Sequence, residues 1–358
     1  MNDMLVASDK LEKRPKMPDE RDLHVVGAMP DHLIRHLTLR QLQIFEAIVR
    51  LGSYTRAAEE LFLTQPTVSM QIKKLTDTIG LPLFEQVERK TRPTEVGLEL
   101  YRSCKSMFDT LSNLESSIAS FKGLKRGRLR LGVITTAKYF APEILGGFCN
   151  QYPEIDVSLK VTNRERVLER ISQGEDDLYV LGQAPEEAGL ISIPFAPNPM
   201  VVVASKDHPL TRERNISLER LAQEPLILRE PGSGIRDVTM RLFREHGLQP
   251  KVRMELGSNE AIKHAVVGGL GISVLSLHTL TLEGAAGPVD ILDVEGFPIR
   301  RQWYLVYPKE RELSLIAKTF LEYAQQTGPE IRDHMDKLLS DFSLIHQERW
   351  RRLGIKAD

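Results

Sequence analysis

The chain has 358 residues, 41% hydrophobic and 27% charged, with a formal net charge of −1. This size and composition fit a globular protein of two or three domains and exclude low-complexity and collagen-like chains. A charge so near zero gives no global basic field, which argues against nonspecific coating of nucleic acid but leaves room for local basic surfaces.

Residues 1–34 mix acidic, basic and proline residues with few apolar ones, the pattern of a disordered extension. They contain no apolar run of the signal-peptide kind, so the cytoplasm is the expected compartment. From Thr38, the spacing of Leu42, Phe45, Ile48 and Val49 predicts a helix ending near Gly52. The stretch Tyr54 to Ile79 then reads as two helices with a tight break. Ser53 can cap the first, which carries Ala57, Ala58 and Leu61 on one face. Thr64 can cap the second, with Pro66 in its first turn. In that second helix Val68, Ile72, Leu75 and Ile79 share one stripe. Pro66, Thr67, Met70, Lys73 and Lys74 project from the other side. Small polar residues and lysines on a free face suit a helix lying in a DNA major groove. Periodicity alone favours an ordinary helical hairpin with a solvated face.

Gly80 ends this helix, Leu83-Phe84 predicts a short core strand, and Glu85 to Thr94 a hairpin with Arg89, Lys90 and Arg92 near its tip. The series Ala57-Ala58, Leu61, Gln65-Pro66, Ser69, Ile72, Leu75, Gly80, Leu83-Phe84, Arg89, Thr94, Gly97 resembles the winged helix-turn-helix signature of LysR-type transcriptional regulators. Some dozen positions at fixed spacing make this far more specific than a short motif. Met70, Thr76 and Gln86 depart from residues common in the family, which bears on base preference. The resemblance implies a DNA-binding domain over 37–95, with Gln65, Pro66, Thr67, Ser69, Met70, Lys73, Lys74, Arg89 and Arg92 facing DNA. Gln65 and Thr67 would read base edges, and the lysines and wing arginines would hold phosphate.

From Thr94 to about Lys122, Leu98, Tyr101, Cys104, Phe108, Leu111, Leu114, Ile118 and Phe121 recur at three- and four-residue steps, a narrow seam. The family resemblance makes 95–123 the dimerising linker helix, with Cys104 as a seam residue. Gly123 to Gly127 would form a hinge.

Strands are expected at Leu129–Val133, Ile155–Val161 and Leu178–Gly182, alternating with helices from Thr136 and from Asn163. A second unit starts at Pro199–Ala204. It continues through Pro225–Leu228, a helix after Gly234, a strand near Val252–Leu256, a helix from Ser258 and a strand at Gly271–Ser276. Trp303–Pro308 and a helix near Ser314–Gln325 would return to the first unit. Such alternation predicts parallel α/β sheets. The fold class is thus α/β behind an α-rich winged helix-turn-helix. The family resemblance implies a bilobed effector domain over 128–328, similar to type II periplasmic binding proteins. Lobe I would be 128–198 with 303–328, and lobe II 199–302, followed by a charged, partly helical tail over 329–358.

Ligands of such sheets bind beyond the carboxyl ends of strands, where the lobes face one another. Thr135 and Thr136 arrive there at a helix start, with Asn163, Gln183, Arg229, Ser233 in the Gly232-Ser233-Gly234 turn, and Asn259. Each signal alone is weak, since a Gly-Ser-Gly is usually only a turn. Together they make a polar cleft with no aromatic wall apart from Tyr139, suited to a compact anion. Longer runs over Val133–Pro142, Lys160–Ile171, Leu228–Arg236 and Arg253–Val266 resemble one LysR branch, the CbbR regulators of Calvin-cycle operons. That branch implies a small anionic metabolite as effector.

Catalysis finds little support. Asp176 and Asp177 are adjacent, so they point apart, and a solvated turn is expected. Cys104 and Cys149 are too few for a disulfide framework, and the nine histidines show no metal-ligand spacing. No cofactor or metal is implied, and no run approaches the roughly 18 apolar residues of a membrane span. The expected partners are double-stranded operator DNA, a small anionic effector, further copies of the chain in a dimer or tetramer and, for an activator, RNA polymerase. A solute receptor would share the bilobed domain but not the helix-turn-helix. An enzyme on the same scaffold would need a nucleophile or metal constellation.

Overall fold

The computed structural model describes residues 31–88, 90–121 and 126–353. The chain divides into two compact units, Met1–Ser106 and Met107–Asp358.

In the N-terminal unit, α1 (Asp31–His36) starts inside the stretch expected to be an irregular extension. Residues 1–30 of that stretch lie outside the described residues. A capping box opens α2 (Leu39–Leu51): Thr38 accepts from the Gln41 amide, and the Gln41 side chain accepts from the Thr38 amide. Ser53 caps α3 (Tyr54–Glu60) and Thr64 caps α4 (Gln65–Ile79). Pro66 sits in the first turn of α4, where no backbone donor is needed. Gly80 ends α4 at φ 79°, a conformation that favours glycine. An antiparallel hairpin of β1 (Phe84–Val87) and β2 (Lys90–Pro93) follows. Leu42, Phe45, Ala57, Ala58, Val68, Ile72, Leu75 and Leu83 are buried together. Phe84 adds its ring to them, 5.2 Å from Phe45 and 5.7 Å from Tyr54.

A 27-residue helix, α5 (Glu95–Phe121), comes next. Leu98, Leu111, Leu114 and Ile118 of the expected seam are exposed on it. Cys104 is not: it is fully buried in the N-terminal unit, and burial raises its thiol to about 12. It belongs to the packing of its own chain instead of the open seam. The expected hinge falls largely on 122–125, outside the described residues.

The C-terminal unit opens with β3 (Gly127–Ile134). A helix was expected from Thr136, but Thr135–Tyr139 is a 3₁₀ turn, and α6 (Ala141–Gln151) starts only after Phe140 leaves helical geometry at φ −129°. Next come β4 (Ile155–Thr162), α7 (Arg164–Ser172), β5 (Leu178–Leu181) and β6 (Leu190–Pro197). Lobe II holds β7 (Met200–Ser205), α8 (Leu218–Ala222), β8 (Pro225–Arg229), α9 (Gly234–Glu245), β9 (Lys251–Leu256), α10 (Asn259–Val267), β10 (Ser273–Ser276) and β11 (Val289–Ile291). The chain returns along β12 (Gln302–Pro308) and ends in α11 (Leu315–Arg352).

The sheets are mixed, not parallel as expected. Lobe I has the order β4-β3-β5-β12-β6, with β12 antiparallel to both neighbours. Lobe II has β10-β7-β11, all antiparallel, beside a parallel β8-β9 pair. Helices link β3, β4 and β5 and allow them to run parallel. No crossover helix precedes β6, and β12 comes back from the other lobe, so both meet their neighbours antiparallel. The expected solvated turn at Asp176-Asp177 is also corrected. Asp176 is buried and receives both Nε and Nη2 of Arg170 at 2.8 Å. Asp177 receives Arg130 at 2.7 Å and Arg311 at 3.2 Å. The two carboxylates do point apart, Asp176 towards Arg170 and Asp177 towards Arg130 and Arg311.

Candidate DNA-binding surface and effector cleft

On α4 the buried stripe Val68, Ile72 and Leu75 fixes which side faces outward. Gln65, Pro66, Met70, Lys73 and Lys74 are exposed there, and Thr67 and Ser69 are half-buried. Gln65 Nε2 donates to Ser69 Oγ at 3.1 Å, one turn on, and the Thr64 and Thr67 hydroxyls lie 2.8 Å apart. These polar groups are thus held in place at the start of the helix before any partner arrives. In the hairpin, Arg92 is exposed on β2 opposite Glu85, whereas Arg89 lies outside the described residues. The arrangement offers hydrogen-bonding side chains near one helix N-terminus, with two adjacent lysines about two turns on.

Between the lobes lies a cavity of about 30 Å³, room for a water or two. Thr135, Thr136, Asn163, Gln183, Arg229 and Ser233 all line it. Asn259 does not: fully buried, it stands behind and accepts from Arg229 Nη1 at 2.6 Å. Thr135 and Thr136 reach the cleft on the 3₁₀ turn, so the expected α-helix N-terminus is replaced by their hydroxyls. Asn163 caps α7 through the Arg166 amide. Ser233, at the N-cap of α9, makes no capping bond and is buried.

The cleft is cationic. Arg229, only 2% exposed, is held by Glu230 at 2.7 and 2.9 Å and reaches Thr135 of the other lobe at 3.5 Å. Arg164 and Arg301 also line it, and they converge on Gln183: Arg164 donates to its carbonyl at 3.2 Å and Arg301 to its Oε1 at 2.8 Å. Neither is ion-paired among the described residues. Burial, reinforced by the charges of Arg241 and Arg164, lowers Arg301 to about 10, so its cation is unfavourably placed until an anion joins it. Asn198, Ser276 and Trp303 complete the wall, contrary to the expectation of no aromatic beyond Tyr139. Trp303 is fully buried, with no hydrogen-bond partner for Nε1 among the described residues. Arg301 and Trp303 were missed because β12 reaches the cleft from far along the chain. The Arg300-Arg301 pair before the strand was the available signal.

The lobes touch across this cleft. Glu260 of α10 accepts from Lys138 at 2.8 Å and Tyr139 at 2.5 Å. Burial opposes its ionisation, but the Lys138 and Tyr139 hydrogen bonds prevail and bring its carboxyl down to about 2. A Cβ on Gly232 would stand 2.7 Å from Glu165 of lobe I, so the glycine permits this close approach. With so small a cavity, an effector of several heavy atoms requires the lobes to part or the Arg229–Glu230 pair to swing aside.

Residues 39–98 match the bacterial regulatory helix-turn-helix protein, lysR family, and residues 122–329 match the LysR substrate binding domain. The second half of α11 lies beyond that match. The chain is 52% identical over 290 residues to the HTH-type transcriptional activator CmpR of Synechocystis, covering 81% of this chain and 95% of that protein. It is 48% identical over 290 residues to the RuBisCO operon transcriptional regulator of Acidithiobacillus ferrooxidans, covering 81% and 94%. The solved regulatory domain of Synechocystis CcmR, in complex with 2-PG, is 52% identical and superposes with a TM-score of 0.55, covering 56% of this chain and 97% of that one. Among the described residues, no helix is long and apolar enough to cross a membrane. With both of its domains matched and its relatives aligned over nearly their whole length, the chain belongs to the LysR family of transcriptional regulators, and is a DNA-binding regulator and not an enzyme.

Proposed function

We propose that this regulator controls carbon-fixation operons, rubisco among them, and senses a compact phosphorylated anion in the cleft between its lobes. The observation that carries the effector reading is the convergence of Arg229, Arg164 and Arg301 on one small polar cavity. The regulatory domain bound to 2-PG, 52% identical to this chain, supports the same chemistry. Each arginine would give a charge-assisted hydrogen bond, with Thr135, Asn163 and Ser233 filling the remaining acceptor sites. Binding would shift the lobe arrangement only as far as the effector prefers one arrangement over the other.

On the DNA side, Gln65 and Thr67 would contact base edges, flanked by Pro66, Ser69 and Met70. Lys73, Lys74, Arg89 and Arg92 would hold phosphate. The chain would act in the cytoplasm on chromosomal promoters, as a dimer or tetramer. Footprinting upstream of rubisco and neighbouring carbon-fixation operons tests this reading. A two-fold protected site is expected, with half-sites about one helical turn apart or a multiple of it. Thr67→Ala should relax sequence preference at a loss of about 1–3 kcal/mol. Lys74→Ala should weaken operator and random DNA alike and lower the salt slope by about one. Equal behaviour of the two variants on both DNAs would refute this division of labour, and absence of protection at any such operon would refute the target.

A further inference from the structure

We propose that residues 330–352 of α11 form an intramolecular brace that fastens lobe II to lobe I and flexes at Gly328-Pro329 when the lobes move. The first half of α11 is built into lobe I, where Ile316, Phe320 and Ala324 are buried in the core beneath β3 and β12. Past Pro329 the same helix changes lobes. Met335, Leu338 and Phe342, spaced three and four residues apart on one face, are buried in the lobe II core with Ile262, Leu280 and Val289.

A polar clamp fixes the far end. Asp290 of β11 is 1% exposed, with His346 Nε2 at 2.8 Å and Arg349 Nη1 at 2.5 Å from its two oxygens. Arg349 also donates to the Thr211 carbonyl at 3.3 Å, and Arg214 stacks 4.7 Å from the Trp350 ring centre. A charge buried this deeply is held only while its partners stay, so the clamp ties the last turns of the helix to lobe II.

The weak point of the helix lies where a hinge requires it. Pro329 has no N–H, so the Gln325 carbonyl loses its intrahelical donor. Gly328 is packed so closely that a Cβ there would strike the Phe195 carbonyl. Phe195 lies on β6, two residues before Pro197, and from there the chain crosses to β7 in lobe II. One helix of 38 residues, about 57 Å at 1.5 Å per residue, is therefore pinned in both lobes and weakened beside the crossover. Rotation of one lobe against the other must bend it there or detach its far end.

The test is hydrogen exchange of the full-length protein, with neither DNA nor effector present, read at the two connections that meet across the cleft, each running into the start of its helix: 163–166 at α7 and 230–234 at α9. Phe342→Asp should detach the brace and speed exchange in both connections by about tenfold. Pro329→Ala removes an exposed side chain and restores the helical donor, so it should leave the fold intact and slow exchange in the same connections several-fold. Faster exchange confined to 330–352 and the lobe II residues beneath it would overturn the brace. Should Phe342→Asp fail to fold, Pro329→Ala decides alone, and exchange equal to wild type in both connections would overturn it equally.

Discussion

His278 shows how one residue's surroundings set its chemistry. It is fully buried where the lobes meet, its ring centre 5.0 Å from that of Phe140 and 5.8 Å from that of Trp303, with Nε2 3.0 Å from the Pro197 carbonyl. Burial lowers it to about 4, so the folded chain keeps it neutral. Unfolded, it would titrate near 6.5. Between these values the unfolded state binds the extra proton, so stability falls as pH drops through that window. From pH 7 to pH 5 this residue should remove about 2 kcal/mol. Thermal melts at the two pH values should therefore differ less for His278→Gln than for wild type. An equal difference would mean that His278 carries a proton in the folded chain or titrates alike in both states. Asp290 is shifted the same way by a different cause: burial pushes its carboxyl up, but His346 and Arg349 prevail and hold it below the usual range. Its contribution is present above the ordinary carboxylate value and is lost only as pH falls below it.

At the scale of elements, the helices of the N-terminal unit were legible because their stops are local. Thr38, Ser53 and Thr64 accept capping bonds, and Gly52 and Gly80 take left-handed conformations. Among the elements that were not legible, two involve proline. In β6, Pro194 and Pro197 obscure the strand, which prolines can enter because it lies at the sheet edge. In α11, Gly328-Pro329 reads as a stop, yet packing on both sides carries the helix through. The spacing of Met335, Leu338 and Phe342 was the overlooked sign. Leu98, Leu111, Leu114 and Ile118 on α5 present an apolar seam to the outside of a single chain, in line with a partner helix. Burying a leucine there in each of two chains contributes about 1.5–3 kcal/mol apiece. Leu114→Glu should therefore weaken self-association by on the order of 100-fold, read by sedimentation. A variant that sediments as wild type would take the seam out of the assembly.

On the scale of the whole molecule, residues distant in sequence assemble the cleft, and this limited what could be read beforehand. Loops following β3, β4, β5 and β8 announce themselves by position, and Thr135, Asn163, Gln183 and Arg229 do line the cavity. Arg301 and Trp303 enter from a strand that only the return from lobe II places there, which no local pattern encodes. Their arrival alters the chemistry. The wall gains an aromatic, so the case for an anion rests on the three arginines and not on a lack of rings. The direct measurement is titration calorimetry of the full-length protein with 2-PG, beside an aromatic acid and an uncharged analogue. Binding of 2-PG is expected in the wild type, and each of Arg229→Ala and Arg301→Ala should weaken it by about 10- to 100-fold, the loss of one charge-assisted bond. Tight binding of the aromatic or uncharged compound, unchanged by either substitution, would contradict an anion-sensing cleft.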